Sequence, residues 1–318
     1  MITATQFHKD IENATTIAIS GHVRPDGDCT GSTLSLLNYI QDNWHNKTVH
    51  VFLEYISDSL KFLPKSDQVY TETNDESYDL FICCDCGGKD RLGKFSNLSD
   101  NAKRNICIDH HISNDGFGDD FLLVPQASST CEILYSIMDK EQISKDTATC
   151  LYLGIVHDTG VFKHSNTTKL TMEIAGQLIE KGVNNSKIID DSFYAKSFLQ
   201  NRLLGHCLLN SQFLVEEKVI FSSITKNTLE QFGGTAGDLD GVIDQLRITK
   251  GVEVAIFLYE LEENKWKVSM RSNDFINVSE IAKSFGGGGH IKAAGCTMEG
   301  TTSTILNTLL TEIKAQQK

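Results

Sequence analysis

The chain has 318 residues, 40% of them apolar, and a formal net charge of −13. That length exceeds one ordinary core and suits two domains. The acidic balance excludes long DNA or RNA as the main ligand, because gripping a nucleic-acid backbone takes a basic stripe; a small anion held by a few local cations is still allowed.

The first half alternates strand and helix patterns. A β-rich run at 15–20 (TTIAIS) stops at Gly21. Residues 32–41 carry apolar side chains at helical spacing, and 49–53, 79–85, 105–109 and 121–124 are apolar runs of strand length. Runs of this kind suit strands buried on both faces of a parallel sheet. Helical patterns follow at 131–140, 147–160 and 169–182, the last ending on Gly182 as a helix terminus should. A polar stretch then predicts a linker at 186–206, between domains spanning 1–185 and 207–318. The second half predicts strands at 219–225, 253–261 and 265–272, a short helix at 277–285, four glycines at 286–289, and a closing helix over 303–317. The fold class expected is α/β: a mostly parallel N-terminal sheet with helices on both faces, and a smaller C-terminal α/β domain across a cleft.

The nine cysteines sit mostly in apolar runs such as FICCDC and NICID, where a thiol behaves as a small buried hydrophobe. Their spacings match neither a disulfide framework nor a zinc ribbon, which points to a reducing compartment. No charged leader with an apolar segment opens the chain, and no stretch approaches the ~18 apolar residues of a membrane span. A cytoplasmic protein without a membrane partner is expected.

Four places carry candidate chemistry, three of them after strands. His22, Asp26 and Asp28 crowd what reads as one tight loop after the first strand. Asp85 ends the 79–85 strand, Asp109-His110-His111 ends the next, and His157-Asp158 ends a helix. Taken singly, each has an ordinary explanation: Asp and Gly form turns, and Asp caps helices. Taken together, they fall where the carboxyl ends of parallel strands gather a ligand site. Carboxylates brought close resist ionising together, and divalent cations resolve that repulsion. Imidazole with carboxylate suits manganese, iron or zinc, and two such ions can clamp an in-line displacement at phosphorus.

The first-loop pattern His-x-x-x-Asp-x-Asp, the Asp-His-His run at 109–111 and the run Gly-Gly-Gly-Gly-His ending at His290 together resemble the DHH phosphoesterase superfamily, over nearly the whole chain. The branch with a C-terminal DHH-associated domain is the most similar; it includes nanoRNA-degrading and pAp-phosphatase enzymes and cyclic di-AMP or pApA phosphodiesterases. The resemblance implies two divalent ions, manganese by expectation. His22, Asp26 and Asp85 would hold one, and Asp28, Asp85, His110 and Asp158 the other, with Asp85 shared. Asp109 would orient a histidine, and His111, with Asp85 the catalytic pair, would face the scissile phosphate. Arg271 and Ser272, the amides of Gly287, Gly288 and Gly289, and His290 would grip substrate, with Arg91 a further candidate. The Ser128-Ser129-Thr130 cluster reads as a helix N-cap instead. The implied activity is hydrolysis of short linear nucleotides (nanoRNA, pApA, pAp) to nucleoside 5′-monophosphates. Cyclic di-AMP hydrolysis, pyrophosphatase or exopolyphosphatase activity, and a non-catalytic nucleotide sensor are the alternatives. A homodimer is compatible with the sequence.

Overall fold

The computed structural model describes residues 2–73 and 76–316. The chain divides into two compact units, Met1–Ala195 and Lys196–Lys318. In the first unit the elements are α1 (Ala4–Asn13), β1 (Thr16–Ser20), α2 (Gly27–Asn43), β2 (Thr48–Phe52), β3 (Val69–Tyr70), β4 (Leu80–Cys84), α3 (Ser96–Asn101), β5 (Asn105–Asp109), β6 (Asp120–Leu123), α4 (Thr130–Ile137), α5 (Lys145–Asp158), α6 (Lys169–Glu180) and α7 (Asn185–Ile189). In the second they are α8 (Phe198–Leu209), β7 (Gln212–Leu214), β8 (Val219–Ile224), α9 (Lys226–Gln231), α10 (Val242–Arg247), β9 (Val254–Glu262), β10 (Lys265–Ser272), α11 (Val278–Ser284), β11 (Gly288–His290), β12 (Ala293–Glu299) and α12 (Thr302–Gln316).

The first sheet is parallel throughout, in the order β3-β2-β1-β4-β5-β6. Strand order reverses between β1 and β4, and a crevice opens beyond the strand ends at such a point. Successive side chains of a strand face opposite ways. Ile17, Ile19, Ile82, Cys84, Ile106 and Ile108 therefore join the large core under α2, α4 and α5, while Ala18, Phe81 and Cys83 join a smaller one with Phe95 and Leu98. Full burial of an Ile or Leu side chain contributes roughly 1.5–3 kcal/mol, which outweighs the modest cost of β-branched or apolar residues in any one element.

Two expectations need correction. Helix α2 begins at Gly27, not at residue 32, so Asp28 lies in the first helical turn. Asp26 is the reason: its carboxylate accepts from the amides of Asp28 and Cys29 and caps the helix. The segment 186–206, expected as a linker, is largely helical. Leu203 and Cys207 of α8 are buried in the core of the second unit, so that unit starts at Lys196. The closing helix runs to Gln316; residue 317 of the expected helix lies outside the described residues. No described helix is long and apolar enough to cross a membrane.

The second sheet is mixed, in the order β11-β12-β10-β9-β8-β7. Only β8 and β9 run parallel; the other neighbours are antiparallel. Helices α11 and α12 cover one face, where Val268, Met270, Ile305 and Leu309 are buried.

Helices α2 and α5 approach unusually closely. A Cβ on Gly31 would lie 2.6 Å from Cys150 O, and one on Gly154 would lie 2.5 Å from Asp28 Oδ1. Gly31→Ala is therefore expected to destabilise the first unit by about 1–3 kcal/mol, as overpacking against backbone does, measured as a lower urea midpoint.

Candidate metal centre

The carboxyl ends of β1, β4 and β5 deliver His22, Asp85 and the pair His110 and His111 to one place. Asp85 is its common member. One of its oxygens, Oδ2, lies 3.5 Å from His22 Nε2, and the other, Oδ1, lies 3.6 Å from His110 Nε2. His22 Nε2 is also 3.7 Å from Asp26 Oδ2, and His110 Nε2 is 3.0 Å from Asp158 Oδ2. Asp85 thus faces a different histidine with each oxygen. Its φ of 55° turns the backbone at the strand end into the left-handed region, which costs a non-glycine residue about 1–2 kcal/mol.

The histidine rings are held with the same edge inward. Nδ1 of His22 donates to Val23 O at 2.8 Å, and Nδ1 of His110 donates to Ala127 O at 3.3 Å. A carbonyl can only accept, so Nδ1 bears the hydrogen in both rings and Nε2 is left as the donor atom for a cation. His111 Nδ1 donates to Asp109 Oδ1 at 2.7 Å, and Asn114 Nδ2 donates to the other Asp109 oxygen at 2.7 Å. Asn114 also reaches Cys86 O at 2.9 Å, tying the loop after β5 to the one after β4.

Asp28 is fully enclosed. Its carboxylate accepts from the amides of Thr130 at 2.6 Å and Cys131 at 3.1 Å, at the start of α4. The Thr130 hydroxyl donates to Asp85 Oδ1 at 3.2 Å. Ser129 caps α4 by accepting from Glu132 N, and Ser128 donates to the Glu132 carboxylate, so the 128–130 cluster does serve as a helix cap. Helix α5 brings Asp158 on its last residue, and its neighbour His157 hydrogen bonds Ser192 and lies against Gly27.

The electrostatics reflect crowding. Burial, followed by the charges of Asp85 and Asp158, pushes Asp28 well above the usual carboxylate range. Burial likewise raises Asp85, against the opposing hydrogen bond from His22. For His22 burial disfavours the charged ring, but Asp26 and Asp85 outweigh it and push the pKa up to about 11. For His110 burial is outweighed by Asp158 and Asp28, giving about 10. Burial opposes ionisation of Asp26 too, yet His22 and two backbone amides hold it at about 2. Asp109 raises His111 more than burial lowers it. A divalent cation would supply the positive charge that protonated histidines supply here.

Three sets of donor atoms lie within 4.8 Å of one another: His22, Cys29 and Asp85; Asp85, His110 and His111; and Asp28, His110 and Asp158. The donors fit a resident metal in type, in the inward Nε2 atoms and in the shared carboxylate. Of the residues expected as ligands, His22, Asp28, Asp85, His110 and Asp158 fall in these sets, and Asp26 is outside them, its Oδ2 3.7 Å from His22 Nε2. Sequence reasoning missed Thr130 and Asn114, whose partners come from other loops. It also missed Cys29, a buried thiol that burial, ahead of the charge on Asp85, keeps protonated. Arg91 is exposed, with its carbonyl accepting from Val23 N at 2.7 Å.

In the second unit, β10 pairs Arg271 with Ala293 of β12, which pairs with His290 of β11. Directly opposed residues share a face, so Arg271 and His290 stand in one row. Arg271 Nε is 3.3 Å from Asp244 Oδ1. Ser272, expected beside Arg271 as a substrate contact, points the other way, buried and donating to Ile276 O at 2.6 Å. Part of the glycine run is engaged within the unit itself. The amides of Gly286 and Gly287 donate to Lys283 O and Ala282 O to close α11, and Gly288 and Gly289 belong to β11. A Cβ on Gly287 would lie 2.2 Å from Gly295 O and one on Gly289 2.4 Å from Ala293 O, so close strand approach is what requires glycine there.

The profile of the DHH family N-terminal domain matches residues 16–155, and that of the DHHA1 domain matches residues 216–318. A bifunctional oligoribonuclease and PAP phosphatase NrnA from Bacillus subtilis is 30% identical over 92% of this chain and 93% of its own. The chain belongs to the DHH family. A protein of the same name from Mycoplasma genitalium is 29% identical, over 88% of this chain and 87% of its own. Among solved structures, an exopolyphosphatase-related protein from Bacteroides fragilis superposes with a TM-score of 0.87 at 28% identity, covering 98% of this chain and 95% of that one. Members of the DHH family are metal-dependent phosphoesterases, and this chain has the His and Asp groups for that chemistry.

A raised histidine pKa stabilises the fold fully below the unfolded value of about 6.5, and that stability disappears as pH climbs through the folded values. Protein stripped of divalent ions should therefore lose urea resistance from pH 6.5 toward pH 10–11, the range set by His110 and His22. In His22→Gln the loss should be smaller, measured as the change of urea midpoint with pH.

Proposed function

We propose that this chain is a phosphoesterase that hydrolyses short linear nucleotides (pAp, pApA and nanoRNA) to nucleoside 5′-monophosphates. The observation that carries the reading is Asp85, one oxygen toward His22 and the other toward His110, which suits a carboxylate shared by two cations. The two NrnA relatives, named for oligoribonuclease and PAP phosphatase activity, support the choice of substrate.

His22, Asp26 and Asp85 would hold one divalent ion, and Asp28, Asp85, His110 and Asp158 the other; manganese suits this mixed imidazole and carboxylate set. Bound there, such ions supply a lowered water pKa and charge compensation at phosphorus. The chain does the rest. The Thr130 hydroxyl and the α4 amides fix the carboxylates of Asp85 and Asp28. Asp109, held by Asn114, accepts from His111 Nδ1 and favours the protonated ring, so His111 would be able to give a proton to the leaving oxygen. Arg271 and His290 would hold a substrate phosphate, and Arg91 is a weaker candidate for the same task. The net charge of −13 disfavours long polymers as substrates.

The test is hydrolysis of pAp, pApA, a pentanucleotide, cyclic di-AMP, pyrophosphate and polyphosphate with manganese, magnesium or zinc, with product identification. AMP from pAp and pApA is expected, fastest with manganese. Faster turnover of pyrophosphate or polyphosphate would overturn the substrate, and tight nucleotide binding with no turnover would make the protein a sensor. Asp28→Asn and Asp85→Asn should fall to background with circular dichroism unchanged. His111→Asn should lose about 10²–10⁴-fold in kcat, as removal of a positioned proton donor does.

A further inference from the structure

The second sheet has a face that its own helices leave partly open. Along β10, Trp266, Val268, Met270 and Ser272 are buried, while Lys265, Lys267, Ser269 and Arg271 are half-exposed on the other side. On that side α8 and α10 cover β8 and β9, where Ile220, Ala255 and Phe257 are buried. Over β10, β12 and β11 the outward side chains are at least partly exposed.

Strand register sorts this face into rows. The first holds Arg271, Ala293 and His290, and the second Ser269, Gly295 and Gly288. In the third, Lys267 stands between Thr297 of β12 and Tyr259 of β9. In the fourth, Lys265 is flanked by Glu299 on β12 and Glu262 on β9. Rows are two residues apart, about 7 Å along the strand. Among the described residues Lys267 makes no ion pair or side-chain hydrogen bond, so its charge is free for a ligand. The fourth row is net negative.

We propose that this face is a track that measures oligonucleotide length. Arg271 and His290 take one phosphate. The second row, with nothing larger than serine on β10, β12 and β11 and with Phe257 of β9 buried, leaves room for the chain to lie against those three strands. Lys267 takes a later phosphate about 14 Å from Arg271, four residues along the strand. Tyr259 beside it offers a ring for a base, the pairing of cation and aromatic by which proteins hold single strands without reading sequence. Glu299 and Glu262 turn a further phosphate away. A dinucleotide held at Arg271 ends short of Lys267, a tetra- or pentanucleotide engages it, and a longer strand meets the acidic row. The inference rests on the nucleotide reading of the proposed function.

The experiment measures binding of fluorescein-labelled pApA, a pentanucleotide and a ten-nucleotide RNA to the full chain by anisotropy, with EDTA present so that turnover plays no part. Lys267→Ala is expected to raise the ratio of pentanucleotide Kd to pApA Kd about tenfold, the size of one charged phosphate contact. It should also lower the salt slope for the pentanucleotide by about 0.7, one single-strand phosphate. Lys267→Arg should restore both, and Glu299→Gln should tighten the ten-nucleotide several-fold relative to the pentanucleotide. An unchanged Kd ratio in Lys267→Ala, or an unchanged ten-nucleotide preference in Glu299→Gln, overturns the track. Failure of the wild type to hydrolyse nucleotides with metal restored would instead overturn the functional reading, since the binding series is read without turnover.

Discussion

Carboxylates that would repel one another are held together at the carboxyl end of the first sheet, and most of the first unit's local structure answers to that crowding. Asp28 and Asp85 are buried beside each other, and burial raises the pKa of both. Two backbone amides at the start of α4, a threonine hydroxyl and two histidines offset part of the charge. The amides face Asp28 because Ser129 caps α4 at that point, so a helix start doubles as an electrostatic support.

The surrounding histidines show how a ring is prepared for one purpose by the bond on its other side. His22 and His110 are each anchored through Nδ1 to a backbone carbonyl, and His111 through Nδ1 to Asp109. The two kinds of anchor give two kinds of imidazole. A carbonyl orients the ring without adding charge, which suits a ligand atom. A carboxylate both orients it and favours its protonated form, which suits proton transfer. Adjacent residues of one loop, His110 and His111, thus present different chemistry because their partners differ.

Much of this was legible in the sequence, for a physical reason. Buried parallel strands read as unbroken apolar runs, and the polar residue that ends each run is conspicuous: Asp85 after FICC, and His110 after NICID. The six positions expected as ligands followed from that contrast together with the family resemblance. Thr130 and Asn114 stayed hidden because their roles are made by tertiary contact between loops far apart in sequence. The start of α2 was placed late because its first turn, Gly27-Asp28-Cys29-Thr30-Gly31, has small and polar residues where helical periodicity needs apolar ones. The glycine run reads two ways. Glycine serves an anion cradle and a tightly paired strand equally well, and only the β11–β12 register and the close approach of Gly295 O distinguish them. Ser272 was a matter of parity, since a strand residue next to an outward arginine must point inward.

The contact of α2 with α5 works as a ruler. Asp28 lies one turn before Gly31 on one helix, and Asp158 lies one turn after Gly154 on the other. Where the helices meet, Gly31 lies against the backbone of Cys150 and Gly154, with no side chain of its own between them. The spacing of the two backbones that carry these carboxylates is therefore set by main chain against main chain, with no packed side chain between them to trim. Any side chain added at Gly31 or Gly154 has to part the helices, and with them the backbones that carry Asp28 and Asp158.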